Sequence, residues 1–331
     1  MTPGECTRAA AVVGANGAIG SRLAAALRRS GVPVLPFTRQ EPAVRDGVPS
    51  PSLLATRTVF YLASGITPGA VERAEADRAA FTELLDGLSR AGHRPTVMLT
   101  GSGGTVYDPR AAPPYAEDAP ARPSGAYGAA KLRMEEELLS RAGAVRPVVL
   151  RLANVYGPRH GGPGGYGVVA RWLEAVAEGR PLRLFGDPDV GRDYVYVDDV
   201  VRAMATVHAM GPDKDLPAVL NIGSGTPVSL NRLLGVVGDV IGRRPAVERH
   251  PPRPYDRPTV WLDTGLARAA LGWHAVTPLY TGVARIWHTM TAHRNGSTPR
   301  GSASGGLVSG GSVPGGSARD IPRDGMTWPE S

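Results

Sequence analysis

Gly14-Ala15-Asn16-Gly17-Ala18-Ile19-Gly20 is preceded by a short apolar run, Ala9–Val13, and followed by a segment of helical periodicity, Ser21–Arg29. In this G-x-x-G-x-x-G spacing the first glycine permits a tight turn, and the second lets backbone amides approach a pyrophosphate. The third lets the helix pack closely on the strand, and the helix N-terminus favours the phosphate charge. The stretch therefore predicts a strand–turn–helix unit that binds a dinucleotide.

Apolar runs and helical stretches alternate beyond this unit. The further runs typical of buried strands are Val32–Thr38, Thr58–Ala63, Pro95–Thr100 and Pro147–Leu152, and the helical stretches are Ala70–Ala91 and Tyr127–Leu139. This alternation indicates a parallel sheet with crossover helices, so we expect an α/β fold, a Rossmann-type doubly wound parallel sheet. Arg39–Arg57 shows no clear helix–strand pair, so the third strand of such a sheet and its helix should be abbreviated.

We expect three parts in the chain. Residues 1–157 form the dinucleotide-binding domain, which includes the helix that carries Tyr127. Residues 158–292 form mainly a smaller C-terminal substrate-binding lobe, with some segments that return to the sheet. Residues 293–331 are rich in Gly and Ser and offer too little apolar surface to offset the entropy of ordering, so they are predicted to be a disordered tail.

Composition excludes several classes of protein. The chain of 331 residues is 42% apolar and 20% charged, which is typical of a soluble globular protein. A single cysteine, Cys6, excludes a disulfide scaffold and a Cys-rich zinc site, and the histidines show no ligand spacing, so no metal is expected. Met1–Ala10 lacks the apolar segment of a signal peptide, and no apolar run reaches about 18 residues, so we expect a cytoplasmic protein without a membrane span.

Lysine is scarce in this basic chain. Only two of the 37 basic residues are lysines, Lys131 and Lys214, and neither follows a glycine, so a P-loop is excluded. The net charge of +7 is carried by scattered arginines, and the sequence has no basic arm, so nucleic acid is not an expected partner. An anionic small substrate fits the charge better.

The end of the second strand indicates which dinucleotide is bound. An acidic residue there would bind the ribose diol of NAD, but the chain has Phe37-Thr38-Arg39. Arg39 could meet a 2′-phosphate instead, so NADP(H) is favoured and NAD(H) is the alternative. A solvated surface arginine would give the same sequence.

Tyr127 and Lys131 form a Y-x-x-x-K pair. Their i,i+4 spacing places both side chains on one helix face, and the ammonium is expected to lower the pKa of the tyrosine towards the range of a general acid/base. With 10 tyrosines and two lysines in 331 residues, about 0.06 such pairs are expected at random. The pair is therefore predicted to be catalytic.

With these motifs the chain resembles the extended short-chain dehydrogenase/reductases of the NAD(P)-dependent sugar-nucleotide epimerase/dehydratase family, over about residues 8–290. The matching segments are Gly14–Gly20, Leu62-Ala63-Ser64, Gly103–Tyr107, Tyr127 with Lys131, Arg151–Pro158, Leu184–Asp187, Arg192–Asp199, Asn221–Gly225 and Arg253–Asp256. The resemblance implies a nucleotide-diphosphate sugar as substrate and a homodimer as assembly.

The resemblance also implies roles for single residues. Tyr127 would be the general acid/base, and Lys131 would hold the nicotinamide ribose and tune Tyr127. The expected cofactor-binding residues are Gly14, Asn16, Gly17, Ile19, Gly20, Thr38, Arg39, Leu62, Ala63, Tyr127 and Lys131.

The substrate-binding residues implied by the resemblance are Asn154, Phe185, Arg192, Arg253 and Asp256. The two arginines would bind the diphosphate, which suits bidentate guanidinium contacts. Phe185 would line the base pocket, and Asp256 would meet the nucleotide ribose. The simpler alternatives are core packing for Phe185 and an internal ion pair with Asp193 or Asp199 for Arg192.

The segment before Tyr107 departs from the family pattern. The family usually has Ser or Thr where this chain has Gly103, so that hydroxyl is missing. Because side chains alternate along a strand, Thr105 shares a face with Gly103 and is the candidate third catalytic residue. Ser102 should point the other way unless a bulge redirects it.

The same segment discriminates between reactions. The 4,6-dehydratases of the family have an Asp-Glu pair where this chain has Gly104-Thr105, and decarboxylase relatives keep a Glu at the position of Thr105, so neither reaction is expected. Two reactions need only Tyr, Lys and the cofactor: net 4-ketoreduction of a nucleotide 4-keto-(deoxy)hexose, and 4-epimerisation of a UDP- or dTDP-hexose through a transient 4-keto intermediate. Arg39 favours the reductase, whereas the pattern after Asn154 is more like the epimerases. A non-catalytic dinucleotide sensor is less favoured, because it would need neither Tyr127 nor Lys131.

Overall fold

The computed structural model describes residues 8–68, 70–158, 165–254 and 256–296, so the predicted tail from residue 297 onward lies outside the described residues. The strands are β1 (Ala10–Val13), β2 (Val34–Phe37), β3 (Val44–Arg45), β4 (Val48–Pro49), β5 (Thr58–Tyr61), β6 (Thr96–Ser102), β7 (Arg146–Leu152), β8 (Asn154–Pro158), β9 (Gly165–Tyr166), β10 (Leu182–Phe185), β11 (Gly191–Tyr196), β12 (Val219–Ile222), β13 (Pro227–Ser229) and β14 (Val247–His250). The helices are α1 (Ala18–Arg29), α2 (Pro51–Leu54), α3 (Ala74–Arg90), α4 (Ala126–Leu139), α5 (Gly167–Ala177), α6 (Val197–Met210), α7 (Leu230–Ile241), α8 (Gly265–Leu271) and α9 (Leu279–Gly296).

A parallel sheet of six strands forms the centre of the described structure, in the order β2–β1–β5–β6–β7–β12. Its inner strands are apolar because helices cover both faces. Ala10 and Val12 of β1 face the side covered by α1 and α6, whereas Ala11 faces the side covered by α3 and α4. The predicted fold, a Rossmann-type doubly wound sheet, is confirmed.

The segment between β2 and β5 is abbreviated, as the sequence predicts. It contains only the two-residue strands β3 and β4, which pair as a small hairpin, and the single-turn helix α2. Ser50 caps α2 by accepting a hydrogen bond from the Leu53 amide at 3.2 Å. Because neither short strand joins the main sheet, β2 is its edge strand.

A smaller group of strands and helices follows β7. Strand β8 pairs with β11 in parallel, β13 and β9 flank them, and β10 pairs with β14. Their core is aromatic and aliphatic and includes Tyr156, Trp172 and Ile286. Strand β12 leaves this part of the chain and joins the central sheet beside β7.

The last helix is longer than predicted. Helix α9 continues to Gly296, so the prediction that the disordered tail begins at residue 293 is wrong by four residues. Val283 and Ile286 anchor the helix in the core, and once a helix is nucleated each further turn adds hydrogen bonds at little extra cost. Among the described residues, no helix is both long and apolar enough to cross a lipid bilayer.

Candidate active site

The turn between β1 and α1 brings the chain close to the end of β5. Gly14 has φ of +90°, and a Cβ on it would lie 2.8 Å from the Ala63 nitrogen. A Cβ on Gly20 would collide with the carbonyl of Gly14. Only glycine fits these two positions, so the roles predicted for the first and third glycines agree with the geometry.

The N-terminus of α1 has the properties of an anion site. Gly17 is its N-cap residue, no side chain caps it, and the first turn contains no acidic residue. Asn16 and Ile19 lie on either side of this N-cap, exposed and half-buried respectively. Helix N-termini favour negative charge, so the residues present fit the pyrophosphate of a dinucleotide.

The turn after β2 lies where the adenosine end of such a cofactor would be. Thr38 closes this turn, since its amide donates to the Glu41 carbonyl at 3.0 Å and its hydroxyl accepts from the Glu41 amide at 3.3 Å. Arg39 is exposed and forms no ion pair within the described residues. Its guanidinium is therefore accessible to a phosphate, as an ordinary surface arginine would also be.

Helix α4 places Tyr127 beside the turn that follows β6. A Cβ on Gly128 would collide with the Thr105 carbonyl, so glycine allows the first turn of α4 to approach this segment closely. Burial raises the pKa of Tyr127, and a hydrogen bond with the Ser102 side chain acts in the opposite direction. The prediction that the lysine lowers this pKa is wrong, because the loss of solvent around the phenol dominates.

Lys131 is buried one turn further along α4, with 6% of its surface exposed. Its ammonium donates to the Ser64 hydroxyl at 3.4 Å, at the end of the segment that contains Leu62 and Ala63. Burial lowers the pKa of Lys131, and the charges of Asp77 and Glu135 oppose that effect. The lysine thus joins α4 to the loop after β5, where a nicotinamide ribose is expected.

The hydroxyls near Tyr127 differ from the prediction. Strand β6 ends at Ser102, and a turn follows in which the Thr105 and Val106 amides both donate to the Ser102 carbonyl at 3.1 Å. The alternation argument fails here because it assumes that the strand continues to Val106. Ser102 therefore faces Tyr127 rather than pointing away, and the Thr105 hydroxyl donates to the Ser102 hydroxyl at 2.8 Å.

A buried ion pair links α4 to strand β7. Arg151 Nε donates to Glu135 Oε2 at 2.9 Å, and the side chains are 7% and 0% exposed. The Arg151 guanidinium also lies 4.9 Å from the ring centre of Tyr107, which directly follows the turn at residues 102–106, the hydroxyl turn. Glu135 was not predicted from the sequence, although its position four residues after Lys131 places it on the same face of α4.

Phe185 and its neighbours form a second cluster. The Phe185 ring stacks on His250 at 4.9 Å between centroids, and the Arg253 guanidinium lies 4.9 Å from the same ring. Arg253 Nη2 contacts Asp256 Oδ1 at 2.7 Å. Burial acts to raise the pKa of Asp256, but the hydrogen bonds and charge of Arg253 outweigh it and hold that pKa below its usual value. The cluster unites three predicted residues, and His250 was missed.

Arg192 is held by backbone rather than by a carboxylate. Its guanidinium donates to the carbonyls of Gly191 at 2.8 Å, Pro258 at 3.0 Å and Arg257 at 2.6 Å. Asp193 instead accepts hydrogen bonds from Ser224, Gly225 and Leu262, and Asp199 pairs with Arg202.

The alternative of an internal ion pair for Arg192 is thus wrong. Arg253 and Arg257 are among the charges that act on the pKa of Arg192, which burial lowers. Arg192 and Arg253 with the carboxylate of Asp256 leave a net positive charge, which suits a diphosphate.

Two further findings complete the site. Asn154, at the start of β8, is exposed, and its amide donates to the Asp193 carbonyl at 3.1 Å. Among the described residues, no group of three or more His, Cys, Asp or Glu side chains is arranged to hold a metal ion.

Comparisons with known proteins agree with this geometry. Residues 10–223 match the sequence model of the NAD dependent epimerase/dehydratase family. The chain is 38% identical to a UDP-glucose 4-epimerase of Mycolicibacterium smegmatis over 216 residues, which are 65% of this chain and 67% of that protein. It is 30% identical to the dTDP-6-deoxy-L-talose 4-dehydrogenase (NAD(P)(+)) of Kitasatospora kifunensis over 303 residues, 84% of this chain and 94% of that protein.

Among solved structures, MoeE5 in complex with UDP-glucose and NAD is 30% identical, with a TM-score of 0.75 over 87% of this chain and 99% of that one. Matches to two further curated relatives span 62% and 60% of their lengths. The family match covers well over half of the chain. The chain therefore belongs to the NAD-dependent epimerase/dehydratase family of extended short-chain dehydrogenase/reductases.

Proposed function

We propose that this protein reduces the C4 ketone of a nucleotide-activated 4-keto-(deoxy)hexose, with Tyr127 as the general acid. The observation that carries the proposal is the contact of Tyr127 with the Ser102 hydroxyl, which also accepts a hydrogen bond from the Thr105 hydroxyl at 2.8 Å. This arrangement gathers a phenolic proton donor and a supporting hydroxyl pair at one place, where a single carbonyl oxygen could be bound and protonated. The absence of acidic residues at Gly104 and Thr105 argues against dehydration at the same site.

The cofactor supplies the hydride that reaches C4 when it is bound. As negative charge develops on the C4 oxygen, Tyr127 gives up its phenolic proton, and the ketone becomes a secondary alcohol. The Ser102 hydroxyl, which contacts both Tyr127 and Thr105, would hold that oxygen in place. Lys131, anchored at Ser64, would orient the nicotinamide ribose.

The substrate would be held by its nucleotide diphosphate. We assign the diphosphate to Arg192 and Arg253, the base to Phe185, and the nucleotide ribose to Asp256, with Asn154 near the sugar. The backbone carbonyls around Arg192 fix its guanidinium in advance, so little side-chain entropy would be lost on binding.

NADPH is our preferred reductant. Arg39 is exposed at the end of β2 and forms no ion pair within the described residues, and Thr38 precedes it in place of an acid. The abbreviated segment after β2 leaves this edge of the sheet without a neighbouring strand, which would ease exchange of the cofactor between turnovers. NAD(H), which MoeE5 binds, is the alternative.

A 4-epimerase is the second candidate. It is favoured by the 38% identity to the UDP-glucose 4-epimerase of Mycolicibacterium smegmatis. Tyr127 would take the proton from the C4 hydroxyl while the hydride passes from C4 to a bound NAD+ oriented by Lys131. The hydride would then return to the other face of the 4-keto sugar, and Tyr127 would give the proton back to the C4 oxygen. In this case Tyr127 would act first as the base and then as the acid, whereas in the reductase it would act only as the acid.

One experiment separates the two reactions. The protein is incubated with a dTDP-4-keto-6-deoxyhexose and NADPH deuterated at the transferred position, and separately with UDP-glucose without added reductant, and the products are followed by NMR. A ketoreductase consumes NADPH in equal amount to product and places deuterium at C4. An epimerase converts UDP-glucose with no net use of cofactor.

Turnover in neither reaction, by a folded protein that binds NADPH, would contradict both proposals.

The homodimer implied by the resemblance stays a prediction. In such a dimer the helical stretches Ala70–Ala91 and Tyr127–Leu139 would pair with their symmetry mates. In the structure these stretches correspond to α3 and α4, and several of their leucines are buried in the chain's own core, for example Leu84, Leu88 and Leu138. Light scattering on the purified chain tests this assembly.

A further inference from the structure

Arg257 joins the substrate-binding part of the chain to the hydroxyl turn. Its Nη1 donates to the Gly104 carbonyl at 3.0 Å and its Nη2 donates to the Tyr107 carbonyl at 2.9 Å. These two carbonyls lie on either side of Thr105. Arg257 follows Asp256 directly in the sequence and lies outside the motifs that predict the site.

The same residue also contacts the proposed diphosphate site. The Arg257 carbonyl accepts a hydrogen bond from Arg192 Nη2 at 2.6 Å, and the next carbonyl, of Pro258, accepts one from Arg192 Nη1 at 3.0 Å. A single residue therefore touches Arg192 through its backbone and the hydroxyl turn through its side chain.

Arg257 is costly as a purely structural residue. It forms no ion pair within the described residues, and its Nε is buried without a hydrogen-bond partner among them. Burial lowers its pKa, with Tyr115 and Asp108 opposing. Arg257 is half-buried, and its guanidinium gives up hydration to bind two backbone carbonyls without a carboxylate partner among the described residues, so a role beyond packing is the better explanation.

The turn that Arg257 holds carries the hydroxyls of Ser102 and Thr105. The amides of Thr105 and Val106 both bind the Ser102 carbonyl, and a Cβ on Gly103 would meet Leu262 at 2.6 Å. The turn is thus held by hydrogen bonds from its own amides, and Leu262 packs beside Gly103. Arg257 binds the carbonyls of Gly104 and Tyr107. The position of those carbonyls sets where the Thr105 hydroxyl meets Ser102.

We propose that Arg257 is a positioning residue that couples diphosphate anchoring at Arg192 to the placement of the Ser102 and Thr105 hydroxyls beside Tyr127. The proposal rests on the proposed function, since it assumes that Arg192 binds a nucleotide diphosphate. Arg257 touches neither the sugar nor the cofactor, and it acts through the backbone on both sides.

The kinetic test uses Arg257→Lys, with Arg257→Gln as a second variant and Arg268→Lys as the matched control. A lysine keeps the charge but cannot span two carbonyls, whereas Arg268 is exposed on α8, away from this contact. We expect kcat to fall about 10- to 100-fold in both Arg257 variants, because small displacements of reacting groups have effects of this size. KM for the nucleotide sugar should change less than about threefold, and methylguanidinium should partly restore Arg257→Gln. A rise in KM with unchanged kcat would overturn the proposal.

A second measurement does not depend on turnover. Hydrogen–deuterium exchange of the peptide containing Thr105 and Val106 is followed with and without UDP as the probe. In the wild type and in Arg268→Lys, UDP should slow this exchange; in Arg257→Lys the basal exchange should be faster and the effect of UDP lost. Equal exchange in wild type and Arg257→Lys would overturn the coupling, even in an active enzyme. If the exchange difference is observed but the protein turns over no sugar nucleotide, the proposed function is wrong and the proposed coupling stands.

Discussion

The strands of the central sheet all end on one side, the C-terminal edge, and all begin on the other, the N-terminal edge. These two edges carry charged and titratable side chains in different ways. At the C-terminal edge, the Ser102 hydroxyl contacts Tyr127 and Thr105, and Lys131 donates to the Ser64 hydroxyl. At the N-terminal edge, Arg57 donates to the His208 carbonyl at 2.7 Å and Arg146 to the Gly211 carbonyl at 2.5 Å. Cations at the second edge thus complete the protein's own backbone hydrogen bonding. The two edges thus differ in what these side chains contact: hydroxyl groups at the C-terminal edge and backbone carbonyls at the N-terminal edge.

The largest expected effect tests the C-terminal edge. Tyr127→Phe removes only the phenolic oxygen, so kcat should fall about 10²- to 10⁴-fold, the usual contribution of general acid catalysis. Stopped-flow measurement of NADPH oxidation checks this, and cofactor affinity should stay within about twofold. The control is Tyr280→Phe, at a tyrosine that is 53% exposed. Retention of the wild-type rate in Tyr127→Phe would remove Tyr127 from the mechanism.

The next effect belongs to the N-terminal edge and concerns stability. His208 is 2% exposed, its Nδ1 lies 2.9 Å from the Thr58 hydroxyl, and burial, with a smaller contribution from Arg57, lowers its pKa to about 4. Between pH 6.5 and 4 the unfolded chain binds a proton at this residue that the folded chain does not. The stability present above pH 6.5 should therefore fall by about 3 kcal/mol by pH 4.

Urea unfolding of wild type and His208→Gln at several pH values isolates this contribution from that of the carboxylates. The stability advantage of the wild type over His208→Gln should shrink as the pH falls from 6.5 to 4. His274→Gln, at an exposed histidine, is the control and should show no such trend. A difference between wild type and His208→Gln that is constant across this range would show that His208 does not titrate as expected.

The sequence predicted those parts of the site that depend on neighbours in the chain. The glycines of the β1 turn and the pair Tyr127–Lys131 are defined by spacing along one turn or helix, and the structure has this turn and this helix where the sequence predicts them. Their roles in binding and catalysis stay predictions. Ser102 was misplaced, because its orientation depends on where β6 ends, and that end is fixed by turn hydrogen bonds. The raised pKa of Tyr127 could not be predicted either, since desolvation depends on packing between elements that are distant in sequence.

The surroundings of Arg192 show the same limit. The residue type of Arg192 and its sequence motif predicted that it binds a diphosphate. In the structure its guanidinium donates to the carbonyls of Arg257 and Pro258, which are more than 60 residues away in the sequence. Periodicity carries no information about such backbone partners. The abbreviated segment after β2, in contrast, was predictable because a helix and strand need a minimum number of residues, which Arg39–Arg57 does not supply with the right pattern.

A pair of arginine variants, one from each part of the molecule, sharpens the contrast. Arg253→Ala removes a proposed phosphate contact worth about 1.5–3 kcal/mol, so KM for the nucleotide sugar should rise roughly 10- to 100-fold. It also leaves the carboxylate of Asp256 to repel the diphosphate, so the double variant with Asp256→Ala should recover part of the loss. Arg146→Ala should instead lower the free energy of unfolding by about 1–3 kcal/mol, with KM unchanged, because it strips a carbonyl of its donor. Similar KM values for Arg253→Ala and Arg146→Ala would erase the contrast.

The smallest expected effect concerns Arg39, which is located beside the C-terminal edge but has the exposure of a surface residue. An exposed ion pair contributes up to about 1 kcal/mol, so Arg39→Ala should weaken NADPH binding by about fivefold. NADH affinity should not change, because NADH lacks the 2′-phosphate. Titration by nicotinamide fluorescence measures both, and Arg45→Ala, at an exposed arginine of β3, is the control. Equal loss for both cofactors would mean that Arg39 acts on the shared part of the dinucleotide, and no loss would place it with the arginines that only face solvent. Since the reductase proposal draws on an exchangeable phosphorylated cofactor, either result would shift the balance towards epimerisation.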